Sequence, residues 1–249
     1  MPLLSDLINL PEQSLISLVG AGGKTTTMYT LARELAHKGK RVITTTTTQI
    51  FAPTPDETEM LIIEAEPAVL LNKVKAAWQR HRRITVATSI NERGKLMSLP
   101  LDIPAQLLQA GGADVVLIEA DGARHRMIKA PAEYEPVVPL ETNVALLLMS
   151  AGAINQPLSG EIAHRPERIA TVTGINPGDT LTPGVIAHLI MSEQGALKSI
   201  PVTARAYLLI THSTIARCEA VRDLARLVGK SGRISGVLYA EEAGAWFRA

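Results

Sequence analysis

Aliphatic runs of five or six residues recur along the chain, separated by amphipathic segments of helical length. This alternation is typical of βαβ units, in which helices cover both faces of a parallel sheet. The predicted strands are 14–19, 41–45, 60–64, 84–88, 115–119, 144–149, 206–210 and 234–239. The predicted helices are 25–37, 67–80, 103–110, 183–193 and 214–228. We therefore expect a single α/β domain over residues 1–249, with a three-layer, mostly parallel sheet.

The composition agrees with this fold and excludes some functions. Hydrophobic residues make up 46% of the chain and aromatic residues only 3%, so the core must be aliphatic. The net charge is +1 and both signs are mixed along the chain, which does not favour a nucleic-acid or membrane partner. Cys218 is the only cysteine, which excludes an intrachain disulfide. The longest apolar stretch, 144–154, is too short to span a membrane, and the start lacks a secretion signal; we expect a cytoplasmic protein.

A glycine-rich segment joins the first predicted strand to the first predicted helix. Its predicted phosphate-binding residues are Gly20, Ala21, Gly22, Gly23, Lys24, Thr25 and Thr26. In such a loop the helix points its amides at the phosphates, the lysine reaches the outer phosphates, and the threonine hydroxyl binds Mg²⁺. This context predicts a P-loop NTPase-like fold that binds ATP or GTP with Mg²⁺. The alternative is a tight turn with a solvated Lys24.

The spacing of this loop departs from the common form. A Gly-x₄-Gly-Lys-Thr loop would need glycine at position 18, where this chain has Leu18, and a known variant has a lysine where Val19 stands. The shorter spacing resembles the ATP loop of the Mur peptide ligases. Phosphate binding is still predicted, but the spacing does not decide between subclasses of nucleotide-binding protein.

Two acids follow the predicted strand 115–119. Glu119 and Asp121 are two residues apart, so their side chains would project to the same face of the strand. One would hold Mg²⁺, and the other would orient a water or a substrate hydroxyl. The candidate catalytic residues are therefore Lys24, Glu119 and Asp121, and the candidate metal ligands are Thr25, Glu119 and Asp121. The alternative is an acidic turn that Gly122 bends.

Two further segments contain candidate substrate or switch residues. Five threonines end the second predicted strand, and the segment 131–139 is rich in proline and charge. The threonines are explained by β-propensity alone, or their hydroxyls contact the terminal phosphate, the metal or an oxyanion substrate. The charged loop is either merely exposed or folds over the nucleotide as a lid or substrate loop. The candidates are Thr44, Thr46, Thr48, Lys129, Glu133 and Glu135. A later cluster, 164–168, is interpreted as a charged helix start.

Four motifs together resemble the YqeC family. They are Val19-Gly-Ala-Gly-Gly-Lys-Thr-Thr, the threonine run ending in Gln49-Ile-Phe-Ala-Pro, Glu119-Ala-Asp-Gly-Ala-Arg, and Lys129-Ala-Pro-Ala-Glu-Tyr-Glu-Pro. The likeness continues through His164-Arg-Pro-Glu-Arg and Thr173-Gly. The resemblance implies an accessory protein that helps to build or insert the cofactor of a selenium-dependent molybdenum hydroxylase. A molybdenum hydroxylase, or its cofactor precursor, is thus a candidate partner.

Three functional hypotheses follow. The first is a nucleotide hydrolase that acts as a maturation factor. The second is a small-molecule kinase or a Mur-like ligase, and the third is a nucleotide-sensing protein without chemistry of its own. Family members carry an Asn-Lys-x-Asp-like segment after a late strand, where this chain reads Thr211-His-Ser-Thr. The choice between ATP and GTP therefore stays open.

Overall fold

A computed structural model describes residues 2–214, 217–241 and 245–249. The strands, in chain order, are β1 (Ser14–Gly20), β2 (Val42–Thr46), β3 (Gln49–Phe51), β4 (Met60–Ile63), β5 (Arg83–Ala87), β6 (Lys95–Met97), β7 (Val115–Glu119), β8 (Ile128–Lys129), β9 (Val144–Ser150), β10 (Ala163–His164), β11 (Arg205–Ser213), β12 (Ile234–Glu241) and β13 (Trp246–Arg248). The helices are α1 (Leu4–Leu7), α2 (Lys24–His37), α3 (Pro67–Ala77), α4 (Ile103–Gln109), α5 (Pro166–Thr173), α6 (Pro183–Met191) and α7 (Cys218–Gly229).

The central sheet has nine strands, in the order β13-β12-β11-β9-β1-β7-β2-β5-β4. All neighbouring strands run parallel except β12 and β13, which are antiparallel. β1 lies in the middle, where Leu18 aligns with Glu119 of β7 and Gly20 aligns with Leu148 of β9. The carboxyl ends of these strands therefore meet at one edge of the sheet, which is where α/β proteins bind ligands.

Helices cover both faces of the sheet, which confirms the prediction of three layers. Successive residues of β7 alternate between the two cores: Val116 and Ile118 pack into one, and Val115 and Leu117 pack into the other. The first core contains the apolar faces of α3, α4, α6 and α7, whereas the second contains those of α1 and α2. The fold is thus α/β with a mostly parallel sheet between two layers of helices.

The ends of several elements differ from the prediction. The helix predicted at 67–80 ends at Ala77, with Trp78 as its C-cap residue. The indole Nε1 of Trp78 donates a hydrogen bond to the Gly111 carbonyl, 2.8 Å away. The helix predicted at 183–193 ends at Met191, since Ser192 has an extended backbone. The helix predicted at 214–228 is observed from Cys218, and part of the predicted range, 215–216, lies outside the described residues.

Small elements were missing from the prediction: α1, the antiparallel β13, and the short pairs β3–β6 and β8–β10. In contrast, α5 begins at Pro166, inside the cluster 164–168 that was interpreted as a charged helix start. Strands of two or three residues have too few positions for a hydrophobic alternation, so the sequence carries little signal for them. In the described part of the chain, no helix has both the length and the hydropathy needed to cross a bilayer.

Candidate phosphate-binding site

The glycine-rich loop follows β1 and packs tightly against the end of β9. Gly20, Gly22 and Gly23 have φ values of 100°, 75° and 105°, in the left-handed region that favours glycine. A Cβ on Gly20 would overlap the Leu148 carbonyl oxygen, and a Cβ on Gly22 would overlap the backbone nitrogen of Ser150. Both the backbone conformation and the close approach to β9 therefore require glycine at these positions.

The first three amides of the loop already have protein partners. The Gly20 N–H donates to both carboxylate oxygens of Asp121, at 3.1 and 3.0 Å. The Ala21 N–H donates to the Leu148 carbonyl at 2.9 Å, and the Gly22 N–H donates to the Arg126 carbonyl at 3.0 Å. These hydrogen bonds fix the loop between β9 and the segment 121–126.

The next four amides, those of residues 23–26, belong to the N-terminus of α2. Among the described residues they have no hydrogen-bond acceptor in the protein, as expected for the first turn of a helix. All four residues line an open cleft of about 890 Å³. Free amides and the positive end of the helix dipole favour an anion at this point.

Lys24 lies at the start of α2 and is bent back over the loop. Its Nζ donates a hydrogen bond to the Gly20 carbonyl at 2.7 Å and lies 3.2 Å from Asp121 Oδ1 and 3.8 Å from Glu119 Oε1. The residue is only 4% exposed. The ammonium group is thus held by the loop and two acids at the base of the cleft.

Thr25 and Glu119 meet beside this lysine. The Thr25 hydroxyl donates to Glu119 Oε2 at 2.6 Å, and both residues line the cleft. Burial raises the pKa of the Glu119 carboxyl, and the positive charge of Lys24 opposes this shift. A hydroxyl and a carboxylate oxygen side by side are the hard donors that Mg²⁺ takes from proteins, so these residues fit a Mg²⁺ site.

Asp121 differs from Glu119 in its surroundings. It is 2% exposed and does not line the cleft. Its carboxylate contacts Lys129 Nζ at 2.9 Å, in addition to Lys24 and the Gly20 amide. Asp121 therefore joins two lysines to the backbone of the loop, although the sequence suggested a role equivalent to that of Glu119.

The charges continue from Asp121 as an alternating series. Lys129 Nζ lies 2.7 Å from Glu135 Oε2 and donates to the Gly122 carbonyl at 2.7 Å. Arg165 binds Glu135 with two hydrogen bonds, at 2.7 and 3.2 Å. Burial favours a higher pKa for Glu135, but the hydrogen bonds from Arg165 and Lys129 outweigh it and lower that pKa to about 2.

The threonine run occupies two different environments. Thr44 and Thr46 are fully buried in β2: the Thr44 hydroxyl lies 2.7 Å from the Thr85 hydroxyl, and the Thr46 hydroxyl donates to the Glu119 carbonyl at 2.8 Å. Thr48 follows the strand and lines the cleft. Of these three candidates, only Thr48 lines the cleft.

The segment 131–139 is irregular, as predicted, but it is packed against the protein. The Val137 N–H donates to the Ala120 carbonyl at 2.9 Å, and the Thr47 hydroxyl donates to the Val137 carbonyl at 2.6 Å. Glu133 has an exposed side chain, whereas Glu135 is 7% exposed and lines the cleft. The segment thus forms part of the cleft wall through Glu135.

The cleft also contains residues that had no ligand role in the prediction. They are Gln49, Phe51, Lys95, Met97, Ser98, His125, Tyr134, His164 and Arg165. Arg165 is the N-cap residue of α5 and has a left-handed backbone. Its side chain makes no capping hydrogen bond and binds Glu135 instead. Burial and the neighbouring charge of Arg165 lower the pKa of His164 to about 4.

The described residues contain no group of three or more His, Cys, Asp and Glu side chains arranged to hold a metal ion. A cation at this site would therefore share its coordination between Thr25, a carboxylate, water and the phosphates of a ligand. Mg²⁺ is commonly bound in this way, since it retains waters and uses few protein ligands.

The parallel sheet and its central strand–glycine loop–helix unit, with Lys24 and Thr25 at the helix start, define a P-loop type of α/β protein. The family can be stated more closely. The chain belongs to the YqeC family: the model described as "YqeC protein" matches residues 16–167. The chain is also 32% identical over 223 residues to the "Uncharacterized protein YqeC" of Escherichia coli (strain K12), which covers 87% of this chain and 82% of that relative.

Solved structures with a similar arrangement include two much longer chains. One is the signal recognition particle 54 kDa protein from Aeropyrum pernix K1 in complex with GDP, with 15% identity and a TM-score of 0.44. The other is FtsY from Mycoplasma mycoides, with 11% identity and a TM-score of 0.42. The match covers 98% and 97% of this chain, but only 45% and 66% of those two chains.

Proposed function

We propose that this chain binds the triphosphate of ATP or GTP with Mg²⁺ at the N-terminus of α2 and hydrolyses it. The observation that carries the proposal is the group of four free amides at residues 23–26, which face the cleft beside Lys24 and Glu119. Amides, a helix dipole and a lysine at one point form a site for phosphate groups.

Lys24 must change partners for this function. Its Nζ now binds the Gly20 carbonyl and Asp121, and it would leave them for the outer phosphates. Asp121 would keep the Gly20 amide and Lys129, so the loop stays in place when the lysine moves. We therefore assign Asp121 the role of holding the loop.

Thr25 and Glu119 would hold Mg²⁺. The bound ion would neutralise charge on the outer phosphates, which is the chemistry that it supplies in phosphoryl transfer. The carboxylate of Glu119 is buried with a raised pKa, so a nearby cation favours its ionised form. In this proposal Glu119, rather than Asp121, is the acid that faces the metal.

The cleft supports a second candidate, a small-molecule kinase or ligase. Its volume of about 890 Å³ lies near the upper end of the roughly 300–1,000 Å³ that ligand sites occupy. A hydrolase needs room only for water next to the terminal phosphate, whereas a kinase or ligase needs room for an acceptor. A modified acceptor detected by mass spectrometry would favour this candidate.

For the biological role, we infer that the chain is an accessory factor in the maturation of a selenium-dependent molybdenum hydroxylase. Membership of the YqeC family, together with the motifs at 119–124 and 129–136, supports this inference. It predicts that cells without this protein make the hydroxylase polypeptide but lack its activity. Complementation by the wild type, and none by Lys24→Ala, is the expected result; full complementation by Lys24→Ala would contradict it.

The binding proposal is tested by calorimetric titration of ATP and GTP with Mg²⁺. We expect Lys24→Ala to weaken binding by roughly 10- to 100-fold, since charged hydrogen bonds to phosphate are lost. Lys38→Ala is the matched control, because Lys38 follows the other end of the same helix and, among the described residues, has only the exposed Asp6 as a carboxylate partner. No binding of either nucleotide by the wild type, or equal binding by Lys24→Ala, would contradict the proposal. Tight binding without phosphate release would instead indicate a nucleotide sensor.

A further inference from the structure

The cleft continues well beyond the glycine-rich loop. Two groups of residues, here called its walls, line it: residues 48–51 with Lys95, Met97 and Ser98, which the pairing of β3 and β6 joins, and residues 122–126 with Tyr134, Glu135 and Arg165. The α2 N-terminus lies at the base between these walls. The phosphates of a nucleotide would fill the base and leave the space between the walls available.

The position of Glu119 indicates which end of the nucleotide faces this space. Thr25 and Glu119 would hold a Mg²⁺ ion, and such an ion would neutralise charge on the outer phosphates of the triphosphate. Glu119 and Thr25 are 2.6 Å apart on the β7 side of the loop, so the terminal phosphate would lie on that side. The ribose and base, at the other end of the triphosphate, would point away from the space between the walls.

Positive charge dominates this part of the cleft. Five lysine and arginine side chains line the cleft against two carboxylates, and both carboxylates are engaged: Glu119 by Thr25 and Lys24, and Glu135 by Lys129 and Arg165. Lys95, Arg124 and Arg126 have no carboxylate partner in the described ranges. An anion between the walls would meet cations that the protein itself does not neutralise.

The turn that carries Arg124 is held in an unusual conformation. Arg124 and His125 have φ values of 48° and 59°, in the left-handed region that side chains rarely adopt. The turn is closed by a 3.0 Å hydrogen bond from the Arg126 N–H to the Ala123 carbonyl, and the Arg126 carbonyl accepts the Gly22 amide. Arg124 lines the cleft at this turn, and the Gly22–Arg126 hydrogen bond joins the turn to the phosphate loop.

Exposed aromatic side chains occur on both walls. Phe51 is 55% exposed on one wall and Tyr134 is 75% exposed on the other, in a chain with few aromatic residues. Lys95 Nζ lies 5.0 Å from the centroid of the Phe51 ring, which places a cation beside an apolar surface. This pairing suits a ligand that has both a ring and an anionic group.

We propose that the space between the Phe51–Lys95 wall and the Arg124 turn binds a second small molecule, which carries a phosphate or carboxylate group and approaches the terminal phosphate of the nucleotide. The proposal rests on the proposed nucleotide site, because that site defines which end of the cleft is left open. For a kinase or ligase acting at this site, the acceptor would be an anionic molecule that contains a ring.

The test is calorimetric titration of the full chain, loaded with Mg²⁺ and a non-hydrolysable β,γ-imido nucleotide. The probes are phenyl phosphate, benzoate and the neutral benzyl alcohol. We expect one or both anions to bind the wild type and benzyl alcohol not to bind; the preferred anion identifies the acid group. Arg124→Ala should weaken anion binding about tenfold or more, because one charged hydrogen bond to the anion is lost. Arg222→Ala, an exposed arginine on α7 outside the cleft, should bind as the wild type does.

The outcomes separate this inference from the proposed function. Equal anion binding by the wild type and Arg124→Ala, absence of binding by both anions, or displacement of the loaded nucleotide by phenyl phosphate would overturn the second-ligand site and leave nucleotide binding intact. If the wild type bound no nucleotide, the proposed function would fail. The same titrations of the nucleotide-free protein would then show whether an Arg124-dependent anion site exists.

Discussion

Asp121→Asn is the substitution that tests the charge series most directly. The amide keeps an acceptor for the Gly20 N–H but removes the negative charge that faces Lys24 and Lys129, whose side chains are 3% and 1% exposed. Removing one partner from a buried ion pair costs about 3–5 kcal/mol. Lys129 keeps Glu135, and Lys24 keeps the Gly20 carbonyl, so we expect the lower end, about 3 kcal/mol.

The assay is urea unfolding followed by circular dichroism, with Tm as a second readout. A loss of about 3 kcal/mol at unchanged m-value corresponds to a Tm lower by roughly 6–12 °C for a chain of this size. Saturating Mg²⁺–nucleotide should recover part of the loss, because a bound ligand stabilises the folded state and supplies a new partner for Lys24.

Asp114→Asn is the matched control for this experiment. Asp114 precedes the other end of the same strand, and its carboxylate accepts one exposed hydrogen bond, from the Arg41 N–H at 2.7 Å, without a cation. We expect a loss below about 1.5 kcal/mol there. If Asp121→Asn destabilised the protein no more than Asp114→Asn does, the account of Asp121 as the centre of a buried charge series would be refuted.

Three further predictions concern the metal, the loop and acid stability. Glu119→Gln should weaken Mg²⁺ binding, measured by Mg²⁺ titration, by roughly 10- to 100-fold. The variant should bind nucleotide without metal as the wild type does. An unchanged Mg²⁺ affinity would count against the metal role of Glu119. Gly22→Ala should lower the free energy of unfolding in urea by about 2 kcal/mol or more, because of the positive φ at this position and the overlap of a Cβ with Ser150. Gly160→Ala, where a Cβ would meet open space, should change it by no more than about 0.5 kcal/mol. Equal losses would disprove the need for glycine at position 22. The ionised Glu135, whose pKa is lowered to about 2, stabilises the folded state above pH ~4.5, and this stabilisation should disappear as the pH falls toward 2. In acid unfolding over that window, the free energy of unfolding of the wild type should fall by about 2 kcal/mol more than that of Glu135→Gln. Parallel curves for the two proteins would exclude the effect.

The features that were predictable from the sequence are those encoded by neighbouring residues. The strand, glycine turn and helix around Lys24 are contiguous, so their order could be read directly. The missing glycine at position 18 also has an explanation, since Leu18 is fully buried in β1 and the loop begins only at Gly20. The roles of the candidate metal ligands and phosphate-binding residues stay predictions until ligand binding is measured.

Contacts between distant segments could not be predicted in the same way. Glu135 and Arg165 are thirty residues apart, and their pairing depends on how the irregular segment folds against α5. Asp121 and Glu119 look equivalent in the sequence, yet one carboxylate is directed to Lys129 and the other to Thr25. A period of two assigns residues to a face of a strand, but Asp121 lies beyond the end of β7, where that rule no longer applies.

The hydrogen bonds that fix Gly20, Ala21 and Gly22 have a consequence for how the protein acquires its binding capacity. A flexible loop would lose conformational entropy each time it captured a ligand, and affinity would fall accordingly. Here the loop is ordered by β9 and by the segment after β7, which contributes the Asp121 carboxylate and the Arg126 carbonyl. The loop is therefore ready to bind once the sheet and the segment 121–126 are in place, and a population in which both are formed but the loop is not should not accumulate during refolding.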